Sequence, residues 1–336
     1  MGVVSYGSRL LSTTVLLCVA AATTGVFVAP ATVQMQASPF LGTWNLNGTG
    51  PDTANVYCLQ VTQGPDGLQV TFLDRAGSPV TATSVSVVEA AGGDELVWVR
   101  GLGARAVTYR ARLEGAQMTG EHTVRRGGRG DTPVTERVVH WAGARRPAFA
   151  PSDANAAHTY AAPVVLFDGT SMDAFGGQHP DRELNWAVTD GLMVNTPPSN
   201  NLVSKQTFSD FKVELEYRLG KDSNSGLYLR GRYELQLLDD FEKPISINGH
   251  VSIYGRQPPA VNASKPIGEW QTLSAIIVGD HVTVTLNGQR VHDNAVITGV
   301  TGGALDNDEL TPGPIMIQGD HSQVAVRKLT VTPIIR

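Results

Sequence analysis

Cysteine is nearly missing from this chain, with two in 336 residues. Cys18 falls in an apolar leader and Cys58 stands by itself beyond it, so the mature protein has neither a disulfide nor a thiolate metal cluster. Charge is sparse as well. Only 17% of residues are Asp, Glu, Lys or Arg and the net charge is −5, which excludes a general nucleic-acid binder, since that needs a basic face. Past residue 28 no apolar run approaches the roughly 20 residues that span a bilayer. The sequence holds no HExxH or HxH pair, no Gly-rich phosphate loop and no nucleophile elbow. His179, His250, His281, His292 and His321 are scattered. No metal and no cofactor is therefore expected, and a small neutral partner suits the composition. Oligomeric state is not legible.

The first 37 residues have the layout of an export leader: Arg9, the largely apolar Leu10 to Val28, then Ala29-Pro30-Ala31, with Ala37 as a second cleavage position. Ser12, Thr13, Thr14, Thr23 and Thr24 dilute the apolar stretch, which argues against a retained anchor. Cys18 follows Leu17 where a lipoprotein signal wants a small residue. The expected location is outside the cytoplasm: periplasmic, envelope-associated or secreted, with no stable membrane span after cleavage.

The 36 glycines and 19 prolines punctuate short alternating runs rich in Val and Thr. From residue 40 to 147, about eight such runs are separated by turn residues such as Gly64-Pro65-Asp66-Gly67 and Gly92-Gly93-Asp94. This predicts a small antiparallel barrel or sandwich. The Gly-rich stretch Arg125 to Asp131, with its RGD triplet, reads as a hairpin loop. Residues 148–162, rich in Ala and Pro and without periodicity, read as a linker. All six lysines lie beyond it, between Lys205 and Lys328. From residue 163 to 336 strands resume, with Gly279-Asp280 and Asn287-Gly288 as hairpin turns, and a second, all-β sandwich is predicted. Cys58, in the alternating VYCLQV, is expected to be buried among apolar groups.

Leu227 to Asp239, LYLRGRYELQLLD, carries the clearest functional signal. Read as one strand, it places Leu227, Leu229, Tyr233, Leu235 and Leu237 on one face and Tyr228, Arg230, Arg232, Glu234 and Gln236 on the other. Two arginines, a carboxylate and an amide in register suit a ligand rich in hydroxyls.

LFDGTSMDAF, NWAVTDGLM, FSDFKVELEYRL, NSGLYLRGRYELQLLD, GEWQTL, VTVTLNGQRV, GPIMIQGDH and the closing VRKLTVTPI follow one another in the order seen in the 3-keto-disaccharide hydrolase domain family. From about Pro163 to Ile335 the chain resembles that family. The resemblance implies a concanavalin A-like jelly roll that acts on glycosides oxidised at carbon 3. The segment NGHVSIYGRQPP departs from the family's usual small-residue run. An exported glycosidase or lyase is the reading that follows; a non-catalytic, lectin-like carbohydrate-binding envelope protein is the alternative.

A C3 ketone acidifies the hydrogen on C2, so such a reaction needs a base, an electrophile facing the enolate oxygen and a proton donor. Glu234 and His321 compete as the base. Arg230 is the candidate for the enolate, against a structural ion pair with Glu234. Gln236, Gln318, Arg232 and Asp239 are candidates to hold sugar hydroxyls, and Tyr254 and Trp186 to stack on the ring. The blander roles are backbone pairing for the amides, a turn for Asp239 and the core for Trp186 and Trp270. Asp306-Asn307-Asp308-Glu309 reads as an acidic surface loop. Asn224-Ser225-Gly226 reads as the turn that feeds the central strand.

Overall fold

In this computed structural model, residues 37–74, 77–126 and 134–335 are described. The expected leader, apart from Ala37, and residues 127–133 of the RGD-bearing loop lie outside the described residues.

Gly42–Gly48 begins a nine-stranded antiparallel sheet that ends with Thr135–Arg145 and pairs these two strands side by side. The order is that of a meander that folds back on its own start. Its edges are the short strand Val80–Thr81 and the neighbouring Ser84–Ala90, and the residues between them bridge the sheet's margins. Ala82 N–H donates to the Val70 carbonyl and Thr83 N–H to that of Val99, which ties the segment between the two edge strands to Gly67–Leu73 on one side and Gly93–Arg100 on the other. The curled sheet encloses an aromatic core of Phe40, Trp44, Tyr57, Phe72, Trp98, Tyr109 and Trp141.

Strand alternation decides what the first body shows to the second. Along Val56–Gly64, Tyr57, Leu59 and Val61 enter the barrel core, while Val56 and Cys58 point the other way. Those two, with Leu73, join the apolar cluster of the second body. Cys58 is buried, as expected, but within a joint between two cores. Pro39–Arg336 accordingly forms one compact unit.

The stretch read as a linker is held in place along its length. Just before it, Arg146 is salt-bridged to Glu309 and Asp280. Asn155 receives the Thr283 hydroxyl at 2.7 Å, and Thr159–Tyr160 pairs with the end of the last strand, Val324–Ile335.

Two antiparallel sheets make the second body. One runs from Trp186–Thr189 through Leu192–Asn195, Val324–Ile335, Phe211–Leu219, Gln271–Val278 and His281–Leu286 to Gln289–Val296. The other has the order Phe175–Gly177, Leu202–Phe208, Gly313–Ile317, Asn224–Leu229, Tyr233–Leu238. Apolar residues from both, among them Val213, Leu215, Leu227, Leu235, Ile277 and Ile315, fill the space between. The fold is all-β, a curled sheet followed by a sandwich.

The stretch from Leu227 to Asp239 is two strands and not one. Arg230 (φ 54°) and Gly231 (φ 66°) form a tight turn closed by Arg232 N–H donating to the Leu229 carbonyl. Two successive positive φ angles are what a narrow hairpin with right-handed twist requires. The register pairs Tyr228 with Glu234 and Leu227 with Leu235, so even-numbered residues still face even-numbered ones. The expected faces survive for Tyr228, Glu234 and Gln236, but the arginines leave the sheet. HVSIYG is likewise no strand; it is a loop joined to the hairpin's edge through the Leu235–Ile253 bridge.

Candidate functional site

On the outer face of the five-stranded sheet, a cavity of about 100 Å³ is lined by Asn224, Tyr228, Glu234, Gln236, Tyr254, Gln318 and His321, with Gly77, Gly302 and Gly303. Hollows of about 470 and 510 Å³ lie on the first body, but the carboxylates of the former are tied up, as in Glu95 paired with Arg110 and Arg112.

Two loops build the cavity onto the hairpin by satisfying its edge. The Glu234 N–H donates to the Thr301 hydroxyl at 2.8 Å, and its carbonyl receives the Tyr254 N–H. Gln236 exchanges backbone bonds with Val251 and Ser252. An exposed edge strand would invite another chain; here it anchors the loops that carry Tyr254 and the glycines. The second loop is itself pinned by His250, whose Nδ1 accepts the Leu238 N–H at 2.9 Å while Nε2 meets the Tyr217 hydroxyl at 2.8 Å. Burial pushes the His250 imidazole down to about 4, so it stays neutral, with Nε2–H as the donor to Tyr217. Val251, fully buried, takes φ 55° between these contacts, a conformation a β-branched residue keeps only when its surroundings enforce it.

Glu234 is 3% exposed and its carboxyl is pushed up to about 8, first by burial. The Tyr228 hydrogen bond pulls it back down, and the nearby negative charge of Asp320 raises it further. Tyr228 also donates its hydroxyl to the Gly302 carbonyl at 2.9 Å. A phenol has one proton: given to Glu234 it favours the ionised carboxylate, and kept on the Gly302 carbonyl it leaves the Tyr228 oxygen to accept from the protonated acid. The Oε1 atoms of Gln236 and Gln318 are buried without a partner among the described residues, which leaves them to accept from a ligand's hydroxyls. At the rim, half-exposed His321 bonds Asp320 through Nδ1 at 2.6 Å, which leaves Nε2 for the cavity.

The structure therefore gathers five of the residues expected from the sequence: Glu234, His321, Gln236, Gln318 and Tyr254. Four others it takes elsewhere. Arg230, in the turn, is buried with Asp210 at 2.9 Å and donates to the carbonyls of Ser209 and Gly279. Its expected alternative partner, Glu234, is not the one it takes. Arg232 is bound to Asp306 and Thr311. Asp239, just past the end of the strand, accepts the Asp222 N–H, and Trp186 is core, with its indole N–H on the Asn200 carbonyl. The other expected core tryptophan, Trp270, lies half-buried between the guanidinium groups of Arg218 and Arg327. Glu309, expected on an acidic surface loop, has a fully buried side chain. Gly226 lies within a strand and not a turn.

Tyr228 is a site residue that sequence reasoning missed, although it alternates onto the same face as Glu234. Gly302-Gly303 and Gly77 were missed as well. Paired glycines often mark a close backbone approach, and a Cβ on Gly303 would fall 2.7 Å from the Tyr228 hydroxyl.

A curated 3-keto-disaccharide hydrolase of Bacteroides thetaiotaomicron is 21% identical, over 38% of this chain. The chain spans 57% of that relative's length. A solved structure from Parabacteroides distasonis, which carries a glycosyl hydrolase designation, is 28% identical, with a TM-score of 0.44 over 50% of this chain and 82% of the other. A carbohydrate binding module, CBM66 of Bacillus subtilis, is 14% identical with a TM-score of 0.28, over 48% of this chain and 93% of the other. Residues 162–332, which contribute every lining residue of the cavity except Gly77, match the 3-keto-alpha-glucoside-1,2-lyase-like domain, and the chain belongs to that family.

Proposed function

We propose that this protein cleaves 3-keto-glycosides by elimination across C1 and C2 followed by hydration. One observation carries the reading: Glu234 lies buried on the floor of a polar cavity with its carboxyl raised to about 8. An ordinary carboxylate is a poor base for a carbon acid, whereas one raised toward neutrality is matched to the hydrogen beside a ketone. The family and the relative's name support the substrate class.

Glu234 takes the C2 hydrogen as a proton, and the C–H electron pair becomes the C2–C3 double bond as the ketone becomes an enolate. The enolate re-forms the ketone and breaks the bond from C1 to the aglycone oxygen, which leaves with a proton. Water then adds to the enone, oxygen to C1 and hydrogen to C2, giving the free 3-keto sugar. Among the described residues lining the cavity, His321 is the one able to carry positive charge. Oriented through Nδ1 by Asp320, it protonates the departing oxygen and exchanges with solvent. Tyr254 and the side-chain N–H groups of Gln236 and Gln318 face the enolate oxygen and the hydroxyls, in place of the arginine expected from the sequence. Desolvated donors of this kind stabilise developing charge without titrating.

Incubation with 3-keto-trehalose should release 3-keto-glucose, and 3-keto-lactose, oxidised on its galactosyl ring, should release 3-keto-galactose, or the corresponding enone if hydration lags. In deuterated water the product should carry deuterium at C2. Release without exchange at C2 would rule out the elimination; binding with no release would leave a lectin-like module. We further propose export. The mature N-terminus, read by mass spectrometry, should follow Ala31 or Ala37, and a retained Met1 would refute it.

A further inference from the structure

The family match begins at residue 162, yet one wall of the cavity comes from the first body. Gly77, on the turn that leaves the barrel strand Gly67–Leu73, lines the same space as Glu234 and His321. Its seat is built on both sides. A Cβ on Gly302 would lie 2.6 Å from the Gly77 nitrogen and 2.9 Å from its carbonyl carbon, so two backbones touch where Gly302 has no side chain. One residue beyond Tyr254, Gly255 leaves room for Ser78 and Pro79; a Cβ there would come within 3.2 Å of the Ser78 Cα. Ser78 Oγ donates to Asn248 Oδ1 at 2.8 Å. Close behind, Cys58 and Leu73 share the apolar cluster of the sandwich.

These contacts fix the turn against the two loops that carry the site. The remaining space is about 100 Å³, well under the roughly 300 Å³ at which pockets for small ligands begin. A sugar ring fits there only in part.

We propose that the turn Gly77–Pro79 is a specificity wall: the first body closes one side of the sugar site and restricts it to short 3-keto-glycosides with small aglycones. The inference builds on the reading of the site given above. Without that wall, the same sheet would present an open face able to take an interior unit of a longer chain. Gly77 has no φ in the left-handed region, and a Cβ placed on it meets nothing within 4 Å. A large side chain can therefore be added there without strain, at a residue that lines the cavity.

The test compares the full-length protein with Gly77→Phe on 3-keto-glucosides whose aglycone is methyl, glucosyl or maltosyl. The wild type should lose at least tenfold in kcat/KM on going to the maltosyl compound. Gly77→Phe should raise KM tenfold or more for the glucosyl substrate, with an unchanged melting temperature. A wild type indifferent to aglycone length, or an active Gly77→Phe with unchanged KM, would overturn the wall. If neither protein turns over any of these, saturation-transfer NMR with unoxidised trehalose separates the two ideas. Binding lost in Gly77→Phe would retain the wall and sink the chemistry, whereas equal binding in both would sink the wall.

Discussion

Oε1 of Glu234 occupies the space that a side chain on Gly226 would need. The two residues are diagonal neighbours on paired strands, two positions out of register, since Gly226 pairs with Gln236 and Tyr228 with Glu234. Gly226 has an ordinary strand φ, so Ala is compatible with its backbone and the clash falls on the carboxylate. Gly226→Ala is expected to move Glu234 off the floor of the cavity and to cut kcat by about a hundredfold, within the range that general-base placement contributes. Turnover measured beside a circular dichroism spectrum checks this. Unchanged kcat in a folded variant would mean that Glu234 is not held where the chemistry needs it.

The raised carboxyl sets the pH dependence. Only the ionised form of Glu234 can accept the C2 proton, so kcat/KM should fall tenfold per pH unit below about 8. Glu234→Gln should lose about 10²- to 10⁴-fold and flatten that limb. A limb that persists in Glu234→Gln and disappears in His321→Ala would transfer the base role to His321.

Stability should move in the opposite direction. Glu234 is raised from its ordinary 4.5 to about 8 in the folded protein. The native state therefore holds a proton that the unfolded chain releases between these values. Its contribution is fully present below about 4.5 and is lost as pH rises through about 8, on the order of a few kcal/mol. Glu234→Gln removes the liability. Urea denaturation at pH 5 and pH 9 should show a variant that gains on the wild type at the higher pH; a constant difference would contradict the raised carboxyl.

Alternation was legible at Tyr228, Glu234 and Gln236 because a hairpin pairs even positions with even ones. One strand and two antiparallel strands thus give the same faces. What alternation hides is the turn: Arg230-Gly231 lacks the usual Asn-Gly, and a buried arginine with positive φ is held there by Asp210 and two carbonyls that lie far off in sequence. The same distance problem conceals Glu309, an acidic-loop residue until Arg146, Asn45 and Tyr233 converge on it. His321 was legible as a strand-end residue. Gly77 was not, since its place in the site exists only once two bodies have packed.

Arg230 was the sequence's first choice for the enolate, and its surroundings give a test of that role. Arg230→Asn keeps a residue that tolerates the left-handed backbone and takes from buried Asp210 its guanidinium partner. Removing one partner of a buried pair costs about 3–5 kcal/mol, which should appear as a lower denaturation midpoint. Assayed where the variant is still folded, kcat should stay within about threefold. A loss of a hundredfold or more at intact fold would return Arg230 to the chemistry.

Glu309 is where the first body, the connecting segment and the hairpin meet. Its carboxylate, with no exposed side-chain surface, accepts Nε and Nη2 of Arg146 at 3.0 Å, the Asn45 amide at 2.8 Å and the Tyr233 hydroxyl at 2.8 Å. Asn45 belongs to the barrel and Tyr233 to the strand that carries Glu234. Glu309→Gln keeps the shape but leaves the Arg146 guanidinium with Asp280, at 3.3 Å, as its remaining carboxylate. Burying a charge with its main partner gone should destabilise by about 3–5 kcal/mol. Because the lost contact joins the two bodies, the single unfolding transition expected of the wild type should split, with tryptophan fluorescence reporting chiefly on the barrel, where Trp44, Trp98 and Trp141 are buried. A variant that still unfolds in one step at the wild-type midpoint would show that the apolar contacts around Cys58 and Leu73 hold the joint by themselves.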